Sequence, residues 1–150
     1  MVNKIFRSNF FTSMLILLMS FCLTFGVLFS YFETQMFTEL ESEAGYISYA
    51  MKNNGIDFVD NFDEKGKRIT LISTNGTVLA DTSANAEELE NHADRKEIKD
   101  AIKTGKGTSS RYSDTLMQKT LYYAQKLDDS TILRVSTTQN SVVATPERSN

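Results

Sequence analysis

The longest apolar stretch of the chain runs from Ser8 to Phe32 and contains no charged residue. Its 25 residues, at ~1.5 Å of helix each, extend ~37 Å and exceed the ~30 Å hydrocarbon core of a bilayer. The stretch therefore predicts a transmembrane helix over residues 8–32. Aromatic side chains that suit the two membrane interfaces lie near its ends, at Phe10, Phe11, Tyr31 and Phe32.

The charges on the two sides of this stretch differ in sign. Lys4 and Arg7 precede it, whereas glutamates follow it at Glu33, Glu39, Glu41 and Glu43. The positive-inside rule then keeps residues 1–7 in the cytoplasm and places the chain after Phe32 outside the cell. The alternative is a cleaved secretory signal, which would leave a small secreted domain. However, the apolar run is longer than the usual ~7–15 residues and ends without a small-residue cleavage site.

A helical pattern continues beyond the predicted span. Its apolar positions recur every three or four residues, at Phe32, Met36, Leu40, Ala44, Ile47 and Met51. Asn53, Asn54 and Gly55 resemble a helix C-terminus. The pattern predicts a stalk helix over residues 33–54, whose apolar stripe covers the following domain, pairs with a second copy in a parallel homodimer, or does both.

From residue 68 onward the pattern alternates as strands do. We predict strands over residues 68–73 and 77–80, joined by a tight turn in which Asn75-Gly76 supplies positive backbone dihedrals. Three further strands are predicted at 108–113, 120–127 and 131–137, with turns at 116–119 and 128–130. Strands in hairpins, with helices segregated between them, predict an α+β fold.

Two helical segments separate the two groups of strands. Residues 86–91 form a polar helical stretch, and a second helix begins at Asp94, where Asp94 and Glu97 are placed as in a capping box. Ile98, Ala101 and Ile102 are its predicted buried face, and Gly105 its end. The predicted core residues are Ile69, Leu71, Val78, Leu79, Ile98, Ile102, Leu121, Leu127, Ile132, Leu133 and Val135. Because successive strand residues point to opposite faces, we expect that some members of adjacent pairs in this set do not face the core.

Composition restricts the partners of this domain. The chain of 150 residues carries a net charge of −3, and all 19 acidic residues follow the span. An acidic outer domain argues against nucleic acid as a partner. The single cysteine, Cys22, lies within the predicted span, so the outer domain has no cysteine for a disulfide.

Three runs together resemble a known family. They are RITLISTNGTVLADTS (68–83), LENHADRKEIKDAIKTGKG (89–107) and SSRYSDTLMQKTLYYAQKL (109–127). They resemble the extracellular sensor region of PhoR-type, phosphate-regulon sensor histidine kinases of Gram-positive bacteria, and the likeness covers about residues 4–138. The resemblance implies a PAS-like (PDC or Cache-type) sensor domain with a five-stranded antiparallel sheet. It also implies two-component signalling, with a response regulator reached only through a kinase domain.

The chain departs from this family after its last predicted strand. No second span, phosphoacceptor helix or ATP-binding domain follows, so we expect a truncated gene product, a fragment or a frameshifted end. The expected organisation is a cytoplasmic N-terminus (1–7), a span (8–32), a stalk (33–54), an extracellular PAS-like sensor domain (55–138) and a truncated tail (139–150). The expected function is the sensory input region of such a kinase. The alternative is a stand-alone, membrane-anchored extracellular binding protein.

No residue pattern predicts catalysis, a cofactor or a strong metal site, and the ligand or stimulus is not specified. His92, the only histidine, lacks the Glu and Thr-Pro context of a phosphoacceptor, so we expect a structural role, with pH sensing as the alternative. The weaker hypotheses are a cation at Asp57, Asp60, Asp63 and Glu64, and an anion such as phosphate at Arg95, Lys96 and Arg111. Tyr112, Tyr122 and Tyr123 are expected to pack in the sheet core.

Overall fold

The computed structural model describes residues 2–54, 59, 62, 66–113 and 118–140. A long helix comes first, and strands with short helices between them follow. The elements are α1 (Val2–Asn54), β1 (Lys67–Ser73), β2 (Val78–Asp81), a 3-10 helix η1 (Ala86–Glu88), α2 (Lys96–Thr104), β3 (Lys106–Ser113), β4 (Gln118–Lys126) and β5 (Thr131–Asn140). The predicted α+β class and five-stranded antiparallel sheet are confirmed.

The chain divides into two compact units, Met1–Met36 and Phe37–Asn150. In the first unit, the large apolar side chains of α1 from Ile5 to Phe32 are 47–73% exposed. A core helix of a soluble protein would bury most of this surface, and water-exposed apolar patches of such extent are rare. Helix α1 is therefore long and apolar enough to span a membrane.

The second unit is built on a sheet with the strand order β2-β1-β5-β4-β3. β5 is the middle strand: its residues Thr131–Thr137 pair with the whole of β1, and Ile132–Asn140 pair with the whole of β4. All neighbours are antiparallel, so residues opposite one another across the sheet point to the same face.

Each face of the sheet is covered by a different helix. The α1 face carries Ile69, Leu71, Leu121, Tyr123, Leu133 and Val135, and the α2 face carries Arg68, Thr70, Ile72, Tyr122, Ala124, Ile132, Arg134 and Ser136. Because both faces are covered, the adjacent residues Ile132 and Leu133 are both fully buried. The expectation that strand alternation excludes one member of an adjacent pair is wrong for Ile132 and Leu133, but it holds for Val78 and Leu79, of which Leu79 is exposed.

The C-terminal part of α1 packs on the α1 face of the sheet through Leu40, Ala44 and Ile47, which are at most 6% exposed. These positions of the predicted apolar stripe are confirmed, whereas Phe32 is 61% exposed. Polar contacts surround the buried stripe. Lys106 Nζ lies 3.0 Å from Glu41 Oε1, Lys67 pairs with Glu43, and Gln125 Nε2 donates to the Ala44 carbonyl at 3.4 Å.

The β1–β2 hairpin is confirmed, but its turn differs from the predicted one. Gly76 N–H donates to the Ser73 carbonyl at 2.7 Å, so the β-turn spans Ser73 to Gly76. Gly76 then takes a φ of 90°, which a glycine adopts without strain. A side chain at Gly76 would also collide with Asn91 and Ala93, which close over the turn.

Helix α2 begins at Lys96, two residues after the predicted start. The capping-box prediction is wrong: the cap residue is Arg95 without a side-chain cap bond, and Asp94 instead pairs with Lys99 Nζ at 2.9 Å. Glu97 is buried beneath the helix, which prevents it from reaching back. The predicted end is confirmed, because Gly105 has a φ of 88° and closes on Ala101.

The remaining differences concern short elements and edge residues. The helical stretch predicted over residues 86–91 is limited to η1. Leu79 and Ile102 are 48% and 39% exposed, and Leu127 is half-buried, because they lie at the rim of the packed layers. The other eight predicted core residues are buried. The turn predicted at 116–119 lies largely outside the described residues.

Candidate functional site

One end of the α2 face is polar although it is largely buried. The register places Arg68, Ser136, Tyr122 and Ser109 in one row across β1, β5, β4 and β3. In the next row Asp81 on β2, Thr70 on β1 and Arg134 on β5 lie side by side. The other end of this face is apolar, and holds Ile72, Ile98, Ala101, Ala124 and Ile132. The polar half therefore continues the same layer beyond the hydrophobic core.

Glu97 connects helix α2 to this polar half. Its side chain is fully buried and accepts hydrogen bonds from Ser109 Oγ at 2.6 Å and from Arg111 Nη2 at 2.7 and 2.5 Å. Arg134 Nη1 lies 3.5 Å from the same carboxylate. Burial alone would raise the pKa of Glu97, but the hydrogen bonds from Ser109 and Arg111 outweigh it, so the pKa is lowered. Glu97 is therefore ionised at neutral pH.

A second carboxylate is held on the opposite side of Arg134. Arg134 Nη2 donates to Thr70 Oγ1 at 3.1 Å, and Thr70 Oγ1 donates to Asp81 Oδ2 at 2.7 Å. Arg68 Nε donates to both oxygens of Asp81 at 2.9 Å. Three arginines and two carboxylates thus form one continuous network, which we name the arginine network: Arg68, Asp81, Thr70, Arg134, Glu97 and Arg111.

Tyr122 lies next to two members of the arginine network. The guanidinium carbon of Arg111 is 4.1 Å from the centre of its ring, and that of Arg134 is 5.4 Å from it. Both distances suit a cation–π interaction. The aromatic ring therefore holds two guanidinium groups of equal charge close to each other.

His92 is buried beside this network. It is 6% exposed, and its backbone N–H donates to the Gly76 carbonyl at 2.8 Å. Its side-chain Nδ1 has no hydrogen-bond partner within the described part of the chain. Burial, and then the positive charges of Arg134, Arg95 and Arg68, lower the pKa of His92 to about 4. The imidazole is therefore neutral at neutral pH, while the backbone of His92 holds the β1–β2 turn.

The structure does not bring the three residues of the predicted anion site together. Arg111 belongs to the arginine network, whereas Lys96 points to Asp100 at 2.7 Å and to the Thr108 carbonyl, and is exposed. Arg95 contributes positive charge near His92. The four residues of the predicted cation site lie outside the described residues. Among the residues that are described, no group of three or more potential metal ligands occurs.

The predicted aromatic core is only partly correct. Tyr123 is 3% exposed and faces α1, where burial and the carboxylate of Glu41 raise its pKa to about 12. Tyr122 is half-buried on the α2 face. Tyr112 is 55% exposed, because it lies on the edge strand β3. Only Tyr122 of the three therefore takes part in the candidate site.

Sequence reasoning did not identify Arg68, Asp81, Glu97 or Arg134 as site residues. Arg134 carried the available signal, because it interrupts the apolar strand sequence Ile132-Leu133-Arg134-Val135. A charge inside a buried strand requires partners. The partners of Arg134 are Thr70, on a strand more than 50 residues away, and Glu97, on a helix. No local sequence pattern predicts these contacts.

A groove with a volume of about 350 Å³ lies near the last turns of α1. It is lined by Ser48, Met51, Lys52, Leu71, Leu79, Leu127, Asp128 and Thr131. Most of the surface that lines it is apolar. The arginine network is the better candidate site, because binding sites combine a few convergent polar groups with perturbed pKa values.

No family model, curated protein or solved structure matches this chain. Inferences about its function therefore rest on the residues and their geometry.

Proposed function

We propose that the chain is the sensory input region of a membrane two-component sensor histidine kinase. In this proposal residues 1–7 lie in the cytoplasm, α1 crosses the membrane once, and the α+β domain is a PAS-like sensor outside the cell. Phosphotransfer and contact with a response regulator would belong to a cytoplasmic kinase domain. The sequence resemblance to PhoR-type kinases supports the family, and the charge difference across the apolar stretch supports the orientation.

The observation that carries the proposal is the continuity of α1. One helix, Val2–Asn54, contains both the apolar segment and the stripe that is buried on the sheet. A change in the domain that alters the packing of Leu40, Ala44 or Ile47 therefore acts on the helix that enters the membrane. A ligand that binds one arrangement of sheet and helix better than another shifts their populations.

The orientation is tested by cysteine labelling in intact cells. In a Cys22→Ser background, Ala84→Cys places a single thiol at an exposed position of the domain. A membrane-impermeant maleimide should label this variant without permeabilisation. A variant with its single thiol at Asn3 should be labelled only after permeabilisation. The reverse pattern would place the domain in the cytosol and refute the proposal.

Signal transmission is tested with a hybrid in which residues 1–138 replace the input region of a membrane histidine kinase with a reporter gene. Ala44→Val overpacks the fully buried position between α1 and the sheet, at a cost of about 1–3 kcal/mol. This variant should change the reporter output, whereas Ser42→Val on the exposed side should not. If both hybrids reach the membrane in normal amount and neither changes the output, the domain does not transmit. The stand-alone binding protein would then be the better description.

A further inference from the structure

Lys52 and Asp128 carry opposite charges and line the same groove, but they do not pair with each other. Lys52 lies in the last turn of α1, and Asp128 lies in the turn between β4 and β5. Within the described part of the chain neither of them forms an ion pair, whereas the neighbouring Asp129 pairs with Lys126 Nζ at 3.0 Å. The charged atoms of Lys52 and Asp128 are therefore farther apart than the ~4 Å of an ion pair. Both residues are exposed, so the groove offers a cation and an anion to a partner from outside the chain.

The turn between β4 and β5 holds the Asp128 carboxylate in place. Its Oδ1 accepts hydrogen bonds from the Ser130 N–H at 2.7 Å and from Ser130 Oγ at 2.8 Å. These bonds lower the pKa of Asp128, so the carboxylate is ionised at neutral pH. The Leu127 N–H donates to the Thr131 carbonyl at 2.9 Å and closes the turn. The anionic side of the groove is thus fixed without a ligand.

Most of the remaining lining is apolar. Leu71 on β1 is fully buried, while Met51 on α1 and Leu127 are half-buried. Leu79 on β2 has no partner in the β1–β2 pairing, because the register shifts at this point, and such irregularities redirect side chains. Leu79 lines the groove and is 48% exposed. An apolar group bound here would remove part of the Leu79 side chain from water.

The size of the groove and its two charges specify the class of ligand. A volume of about 350 Å³ holds about 12 water molecules at ~30 Å³ each, which suits one amino acid with a large side chain. Sites for small molecules are typically apolar with a few placed polar groups. A ligand that is only anionic would be repelled by Asp128, and one that is only cationic by Lys52. We propose that the groove binds a zwitterionic amino acid with an apolar side chain, whose carboxylate pairs with Lys52 and whose ammonium group pairs with Asp128.

The bound amino acid contacts helix α1 and the sheet at the same time. Lys52 and Met51 belong to α1, whereas Leu71 and Leu79 belong to β1 and β2. Binding therefore favours one arrangement of the helix on the sheet over others. This inference rests on the proposed function only in treating the amino acid as the external signal. Binding itself requires no kinase.

The test measures binding to the full chain in detergent micelles by isothermal titration calorimetry. Leucine, methionine and phenylalanine should bind, whereas glycine lacks the apolar side chain and should bind at least about tenfold more weakly. Isocaproate resembles leucine without the ammonium group, and isoamylamine resembles it without the carboxylate. Each analogue should bind about tenfold more weakly than leucine, because one charged hydrogen bond is lost. Absence of binding by all three amino acids overturns the proposal, and so does an analogue that binds as tightly as leucine.

Two variants test which side chain meets which charge of the ligand. Asp128→Asn keeps an oxygen that can accept from Ser130 but removes the charge, so it should weaken leucine binding about tenfold and leave isocaproate binding unchanged or stronger. Lys52→Gln should weaken leucine binding by a similar factor and leave isoamylamine binding unchanged or stronger. Asp129→Asn and Lys103→Gln change exposed residues outside the groove and should bind leucine as the parent chain does.

Equal losses for leucine and its analogues in the two variants would show a purely structural role and refute the assignment. The analogue series on the parent chain decides the proposal even where a variant does not fold. Because binding is measured on the chain itself, its failure leaves the response of the hybrid to Ala44→Val untouched. The two proposals therefore fail independently.

Discussion

The Glu97→Gln substitution tests whether the arginine network stabilises the domain. Glutamine keeps the shape of the side chain and one oxygen acceptor but removes the charge that faces Arg111 and Arg134. Arg134 is then buried with less compensation, and loss of one partner of a buried ion pair costs about 3–5 kcal/mol. In a domain of about 100 residues, 1 kcal/mol shifts Tm by about 4–8 °C, so Tm should fall by at least about 10 °C.

Near-ultraviolet circular dichroism of the tyrosines follows this melting in the full chain, which has no tryptophan to interfere. Glu87→Gln on η1 is the matched control, because Glu87 is exposed, and it should change stability by less than about 0.5 kcal/mol. A loss below about 1 kcal/mol for Glu97→Gln, comparable with the control, would refute the buried-pair reasoning.

The contribution of Glu97 to stability should depend on pH. Because the pKa of Glu97 is lowered from 4.5 in the folded chain, its stabilisation is present above that pH and is lost as pH falls through the folded value. The difference in stability between the parent chain and Glu97→Gln should therefore shrink below pH 4.5. A difference that stays constant down to the acid transition would show that the cost is steric.

Two further predictions concern His92 and helix α1. Because the pKa of His92 is lowered from 6.5 to about 4, the unfolded chain takes up a proton at higher pH than the folded chain does, and stability should fall as pH decreases from 6.5 toward 4. The His92→Gln substitution should therefore reduce the change in urea midpoint between pH 7 and pH 5. An unchanged dependence of the midpoint on pH would contradict a buried neutral imidazole. Leu40→Ala, at 2% exposure, should cost about 2–5 kcal/mol in urea unfolding, whereas Glu39→Ala on the exposed side should cost little, and equal effects would show that α1 is not packed on the sheet.

Much of the fold was predictable because it depends on local periodicity. The apolar run, the stalk stripe and the alternating strands each follow from spacing along the chain. The Asn75-Gly76 pair predicted the hairpin, although not the type of its turn. Asp94 and Glu97 have the spacing of a capping box, but Glu97 accepts hydrogen bonds from Arg111 and Ser109 and makes no cap bond.

The candidate site was less predictable because its residues are distant in sequence. Arg68 and Arg134 are 66 positions apart and meet only through the pairing of β1 with β5. Sequence reasoning grouped Arg111 with Lys96, but Lys96 lies on the outer side of α2 and pairs within its helix. Pairing between remote strands decides which charges meet, and alternation within one strand carries no such information.

The middle strand β5 gives the sheet a further property. Arg134 belongs to the network on one face, while its neighbours Leu133 and Val135 are buried under α1 on the other. A backbone that is hydrogen-bonded on both edges can move only together with both of its side-chain layers. A shift of β5 that followed a change among the guanidinium groups would therefore also move the residues on which α1 packs.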